Sequence, residues 1–293
     1  MPWSSLTGRP STPSSNARAS GTSRTENPLN AVAASTMRSV DHPSCQDGTV
    51  TTTELSVDDA VERAVALAAR PGRTVLGIAG APGAGKSTLA RRIVAAVDAA
   101  HGTGTAVQVP MDGFHLANAA LEALGRHDRK GAIDTFDAAG YVALVRRLAS
   151  VDDEAASDDD EVAGDDEAAP GDEVASGDGV VSGDDVIWAP DFDRRVDEPI
   201  AGSIAVPRTT RLVVSEGNYL LDTAAPWSAL VDLFTETWAC VVADRVRVDR
   251  LVGRHMRHGR DHEAARTWAL EVDGVNAARV AATVGRASRT IRT

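Results

Sequence analysis

Eight consecutive residues, Gly80-Ala81-Pro82-Gly83-Ala84-Gly85-Lys86-Ser87, carry the spacing G-x-x-x-x-G-K-[ST]. Glycines at these positions let successive backbone N–H groups curl round a diphosphate. Lys86 can reach the terminal phosphates, and Ser87 offers a hydroxyl to Mg²⁺. A chance match somewhere in a chain of this length has a probability below about 1%. The only lysines are Lys86 and Lys130, all other basic charge being Arg. A compact ammonium enters a phosphate nest where a planar guanidinium fits poorly. Gly80 to Thr88 is therefore the expected nucleotide-binding segment.

Two carboxylates stand where strands are expected to end. Asp112, in Met111-Asp112-Gly113-Phe114-His115, can take the proton of a substrate hydroxyl as that oxygen attacks a γ-phosphate; the alternative is a helix cap. Glu216, in Ser215-Glu216-Gly217-Asn218-Tyr219, can hold a metal beside Ser87, and the alternative is an exposed turn acid. A basic stretch from Leu251 to Asp261 includes Arg254, His255, Arg257, His258 and Arg260. It can close over phosphates and stabilise transferring charge, or simply be a solvated basic helix. His255, His258 and His262 have helix-face spacing, but no Cys or second cluster supports a closed zinc site.

These groups need a scaffold. Ser56-Val57-Asp58-Asp59 has a capping-box pattern and opens an amphipathic helix through Val61, Val65 and Leu67, ended by Pro71-Gly72. A strand at Val75–Ala79 feeds the glycine loop, and a helix follows from Ser87. Further strands are expected at Ala106–Val109, near Val186–Trp188 and Ile204–Val206, at Leu212–Val214 and at Trp238–Val242. A helix is expected at Ala139–Ala149. Strands alternating with helices predict an α/β fold with a parallel sheet covered on both faces, its chemistry at the carboxyl ends of the strands.

The 293 residues are 43% apolar, enough for a substantial core. Cys45 and Cys240 lie far apart, which suits a reducing cytoplasm. No apolar run reaches transmembrane length, so a membrane role is not expected. The net charge of −12 is local: residues 151–185 hold 15 Asp or Glu and no Lys or Arg, leaving 27 acidic against 30 basic residues elsewhere. That segment reads as a disordered acidic insert, and it lacks the spacing of a calcium loop. Residues 1–53, rich in Ser, Thr, Pro and Asn, read as a disordered leader, with Met37 an alternative start. The expected domain is 54–293, interrupted by the insert.

Taken in order, the motifs resemble the P-loop kinases of the uridine kinase, pantothenate kinase and phosphoribulokinase superfamily, above all a bacterial nucleoside/nucleotide kinase subgroup similar to fructose-transport-system kinases. The resemblance rests on Gly77 to Ala90, Pro110 to His115, and Arg129-Lys130-Gly131-Ala132 with Thr135-Phe136-Asp137. It continues through Pro190-Asp191-Phe192-Asp193-Arg194, Glu216 to Leu221, and Arg254-His255 with Trp268, Asp273 and Asn276. It covers roughly residues 54 to 285, and the leader and the insert depart from it. It implies a P-loop NTPase three-layer αβα sandwich with a C-terminal lid. It also implies ATP and Mg²⁺ at Gly80 to Thr88, Asp112 as catalytic base, and Arg254 and Arg257 in the lid. By the same likeness His115, Lys130, Phe136, Asp191, Arg194 and Tyr219 line the acceptor pocket, and relatives suggest a homodimer.

The function expected is an ATP-dependent kinase acting on a hydroxyl of a sugar, nucleoside or pantothenate-like acceptor. The alternative is a GTP- or ATP-binding regulatory or switch NTPase, which the absence of a guanine-reading N-K-x-D tetrapeptide weakens. No aromatic-interleaved basic patch points to nucleic acid.

Overall fold

The computed structural model describes residues 53–150 and 186–293. The expected acidic insert and all but the last residue of the expected leader lie outside the described residues. Described elements run β1 (Thr53–Leu55), α1 (Val57–Ala68), β2 (Thr74–Gly80), α2 (Lys86–His101), β3 (Ala106–Pro110), α3 (Asn118–Ala123) and α4 (Ala138–Ala149). After the insert come β4 (Val186–Asp193), β5 (Glu198–Pro207), β6 (Leu212–Gly217), β7 (Glu236–Val241), α5 (Asp244–Arg257), α6 (His262–Glu271), α7 (Asp273–Ala281) and β8 (Arg289–Arg292).

Six strands form one sheet in the order β1-β8-β7-β2-β6-β3, with every pairing parallel. All seven residues of β2 and all six of β6 are buried, as strands covered on both faces must be. On one face α1 and α2 pack Ala64, Leu67, Leu89 and Ile93 against Leu76, Ile78 and Trp238. On the other, Tyr141 and Val145 of α4, Val280 of α7, Trp227 and Phe234 cover Val75, Val109 and Val213. The three-layer αβα arrangement is therefore present. The capping box at the start of α1 is also formed: the Asp59 N–H donates to Ser56 Oγ at 3.1 Å, and the Ser56 N–H to Asp59 Oδ2 at 3.3 Å.

Two features differ from the sequence reading. The expected strands near Val186 and Ile204 do not join the parallel sheet. They belong to a separate antiparallel hairpin, β4 with β5, in register from Val186 opposite Pro207 to Asp193 opposite Glu198. Ordered structure also starts earlier than Ser56, because Thr53–Leu55 adds an edge strand beside β8.

Candidate active site

Strand register assembles the site. Ile78 of β2 and Pro110 of β3 both lie opposite Glu216 of β6, and Gly80 lies opposite Cys240 of β7. The ends of β2, β3 and β6 therefore deliver the glycine loop, Asp112 and Glu216 to one edge of the sheet. Asp112 sits in a 3-10 turn, Met111–Phe114, packed on β6. A Cβ on Gly217 would stand 2.5 Å from Met111 Cβ, so a residue without a side chain is what lets the turn close there.

The loop is shaped for an anion. Gly83 and Gly85 have φ of 79° and 92°, in the left-handed region, and a Cβ on Gly83 would meet the Arg247 carbonyl oxygen at 2.9 Å. Behind them α2 runs sixteen residues with its positive N-terminal end toward the loop. Lys86 is buried, and its Nζ donates to Asn218 Oδ1 at 2.8 Å and to the Ala81 carbonyl at 3.2 Å. Burial holds this ammonium below its usual pKa, against the pull of Glu216 and Asp112. A buried cation with two neutral partners suits an incoming phosphate.

The two carboxylates differ. Glu216 is 6% exposed, so it is not a surface turn acid. Burial pushes its carboxyl up, with Lys86 acting in the opposite sense and Asp112 adding to the rise. It accepts from Ser87 Oγ at 2.7 Å and from Gln108 Nε2 at 3.4 Å. Asp112 is not a helix cap, since Pro110 holds that position and makes no side-chain cap bond. Its Oδ2 accepts from Arg194 Nη2 at 3.0 Å. Burial alone would raise its pKa, but His115, Arg194, Lys86 and Arg254 together hold it below the usual value, so it is ionised at neutral pH.

A cleft of about 900 Å³ joins these parts, lined by the loop from Pro82 to Thr88, Asp112, His115, Lys130, Arg194, Glu216, Arg254 and Arg257, and by Asp273 and Asn276. Arg254 is half-buried, and burial lowers its pKa, whereas Arg257 is exposed. Three expected pocket residues sit elsewhere. Phe136 and Tyr219 belong to the core, where the Phe136 ring lies tilted against that of His115, centres 4.0 Å apart, and Tyr219 OH donates to the Gly131 carbonyl at 2.6 Å. They shape the pocket wall from behind. Asp191 is exposed on β4, accepts from the Phe192 N–H at 2.7 Å, and does not line the cleft.

No family model matches the chain. A Schizosaccharomyces pombe protein named "Putative uridine kinase C227.14" is 30% identical over 211 residues, covering 70% of this chain and 75% of that protein. The solved structure of a "putative fructose transport system kinase" from Silicibacter sp. TM1040 is 31% identical, with a TM-score of 0.62, over 80% of this chain and 98% of that one. The chain belongs to the uridine kinase-like family of P-loop kinases. An Aspergillus versicolor "ATP-dependent kinase-like protein notR'" is also 30% identical, over 57% of this chain and 84% of that protein. YFH7 of Saccharomyces cerevisiae, at 16% identity and a TM-score of 0.61, shares the fold.

In this kinase the hydroxyl of Ser87 and the carboxylate of Glu216 form a hard oxygen pair of the kind Mg²⁺ prefers, so the residues present fit that ion. Several cleft groups escaped the sequence reading as to role. Asn218 holds the Lys86 ammonium, and Asp197, at φ 55°, takes Lys130 Nζ at 2.9 Å on its Oδ2. His255 Nε2 meets Asp273 Oδ2 at 2.7 Å, tying α5 to α7. Their signal was available only as motif membership, because the partners lie up to 132 residues apart.

Proposed function

We propose that this kinase transfers the γ-phosphoryl group of ATP to a hydroxyl of a small acceptor such as a sugar, nucleoside or pantothenate-like alcohol. The observation that carries the reading is Asp112: a half-buried carboxylate at a strand end, hydrogen-bonded to Arg194 and sharing a cleft with the phosphate loop while lying outside it. A base so placed takes the proton of an attacking alcohol. The same cleft continues to His115, Lys130 and Asn276, leaving room for a second molecule beside the nucleotide.

In this reading the loop N–H groups and Lys86 bind and orient the polyphosphate. Mg²⁺, held by Ser87 and Glu216, supplies charge neutralisation on the phosphate oxygens when bound. Asp112 accepts the hydroxyl proton on Oδ1 or Oδ2, and Arg194, which donates to Oδ2, moves to the transferring group as the acceptor arrives. Arg254 and Arg257, in the last turn of α5, add positive charge where negative charge develops, and α5 with α6 excludes water as a lid. A cytoplasmic enzyme acting as a homodimer is part of this proposal. Among the described residues no helix is long and apolar enough to cross a membrane.

The test is ADP formation with Mg-ATP across a panel of sugars, nucleosides and pantothenate, with Lys86→Ala as the blank. Release stimulated by an acceptor supports transfer. Slow release that no acceptor changes, together with tight ATP binding, would favour the regulatory NTPase.

A further inference from the structure

Residues 212–222 are buried with one exception, Asn218, which is half-buried and lines the cleft. Its neighbours pin it. On one side, a Cβ on Gly217 would come 2.5 Å from Met111 Cβ and 2.6 Å from Leu220 Cδ1, so the backbone there is closely packed. On the other, Tyr219 and Leu220 are core residues, and Tyr219 OH is bonded to the Gly131 carbonyl. A side chain carried on such a backbone is pre-organised, and this one stands just past the end of β6, two residues after Glu216, against Lys86.

The two arms of the carboxamide can be told apart. Lys86 Nζ only donates, so the atom 2.8 Å from it is the amide oxygen. Nδ2, on the other arm, makes no hydrogen bond among the described residues and is not sealed from solvent, which leaves it a donor open to the cleft. The lysine of a phosphate loop meets the β- and γ-phosphates. A phosphoryl group is broad enough to accept from that ammonium and from an amide arm beside it. The residue type fits the place. A carboxylate at this position would hold Lys86 but repel phosphate oxygens, whereas a neutral amide holds the ammonium, releases it readily and adds a donor.

We propose that Asn218 is a further catalytic residue of this kinase, its Nδ2 donating a hydrogen bond to a γ-phosphoryl oxygen while its Oδ1 guides Lys86. The proposal rests on the transfer reading above and adds a donor to it. In the transfer the acceptor oxygen bonds the γ-phosphorus, and the bond from that phosphorus to the β–γ bridging oxygen breaks. The electron pair of that bond leaves with ADP, and the acceptor proton goes to Asp112. Asn218 moves no proton; it stabilises the charge on the group in passage.

The test uses the full chain with Asn218→Ala and Asn218→Asp. Calorimetry gives the affinity of each for MgADP and for MgADP with beryllium fluoride, a mimic of the γ-phosphoryl group. ADP release from Mg-ATP is measured with whichever acceptor stimulates the wild type. Asn218→Ala should lower kcat about 10²-fold. It should weaken the fluoride complex about tenfold and leave MgADP affinity unchanged, which also shows that the variant is folded. Asn218→Asp keeps an oxygen for Lys86 but loses the donor, so it should be no more active than Asn218→Ala. Wild-type turnover in Asn218→Asp would reduce the residue to a partner of Lys86 and overturn the proposal. Equal losses for MgADP and its fluoride complex, or an unaltered kcat in Asn218→Ala, would do the same. If no acceptor stimulates ADP release, the transfer reading fails, and the γ-phosphoryl contact is judged on binding alone: a loss confined to the fluoride complex upholds it, and no loss overturns it.

Discussion

Every residue of β2 from Thr74 to Gly80 is buried, whereas on β5 the run Ile200 to Ser203 is exposed. β2 leads into the glycine loop on the phosphate side of the cleft, and β5 pairs with β4, whose Phe192 lines the proposed acceptor side. The phosphate side is carried by a parallel sheet sealed on two faces. The proposed acceptor side is a two-stranded ribbon that buries Ala189 and Val206 in the core and ties its outer end by polar contacts: Lys130 to Asn118 at 2.7 Å and to Asp197, Glu198 on the Asn118 N–H at 3.0 Å, and Arg194 on Asp112. The difference matches the division of labour. Phosphate binding benefits from rigidity, while the polar outer end of the hairpin can be re-aimed by substitution without disturbing the core.

The sharpest way to break this comparison is Asp112→Ala, which removes the proposed base at the junction of the two sides. Phosphoryl transfer should fall at least about 10²-fold while ATP binding is retained. Calorimetry with ATP and single-turnover transfer would check both halves, and near-normal transfer would end the base assignment.

Next in size is Gly113→Ala, which forces the two sides apart. A Cβ there would sit 2.4 Å from the Pro190 carbonyl oxygen of β4, so either the Asp112 turn or the hairpin must shift. Overpacking of this kind costs about 1–3 kcal/mol, read by denaturant melts. Gly285→Ala, with nothing within 4 Å of the added carbon, is the control. Equal losses in both variants would mean that the contact with Pro190 yields freely.

A smaller and more selective effect is expected for Lys130→Met, which removes the ammonium that ties the hairpin to α3. The acceptor KM should rise by about tenfold with the ATP KM unchanged. A matching rise in the ATP KM would show that the two sides are mechanically one.

The same contrast explains what could be read from the sequence. The phosphate side was legible because its parts are contiguous: eight loop residues, a buried run before them, and a helical run after. Leu212–Val214 and Trp238–Cys240 were legible as strands for the same reason. The hairpin was not, since an apolar triplet such as Val186-Ile187-Trp188 does not reveal its partner, and antiparallel pairing with Ile204–Pro207 depends on tertiary context. β1 and β8, Thr53–Leu55 and Arg289–Arg292, are short strands at one side of the sheet with charged residues at Glu54, Arg289 and Arg292, and so lack an apolar run. Asn218 was visible only as one member of a motif, because its bond to Lys86 joins residues from separate elements.

The last prediction concerns His115, where the two sides meet. Its ring lies against Phe136 at 4.0 Å and Phe192 at 4.9 Å, and its Nδ1 donates to the Asp112 carbonyl at 2.8 Å. Burial lowers its pKa below the usual value; the Asp112 carboxylate and carbonyl and Asp197 oppose that shift, while Lys130 reinforces it. The unfolded chain takes up its proton near about pH 6.5, and the folded chain only at lower pH. Stability contributed by the neutral ring is therefore complete above about pH 6.5 and is lost as pH falls from there toward the folded value, because the unfolded state binds the proton first. Melting temperatures from pH 8 to 5.5 should fall more steeply for the wild type than for His115→Gln, in which that proton site is absent. Parallel curves would place the acid sensitivity outside this junction.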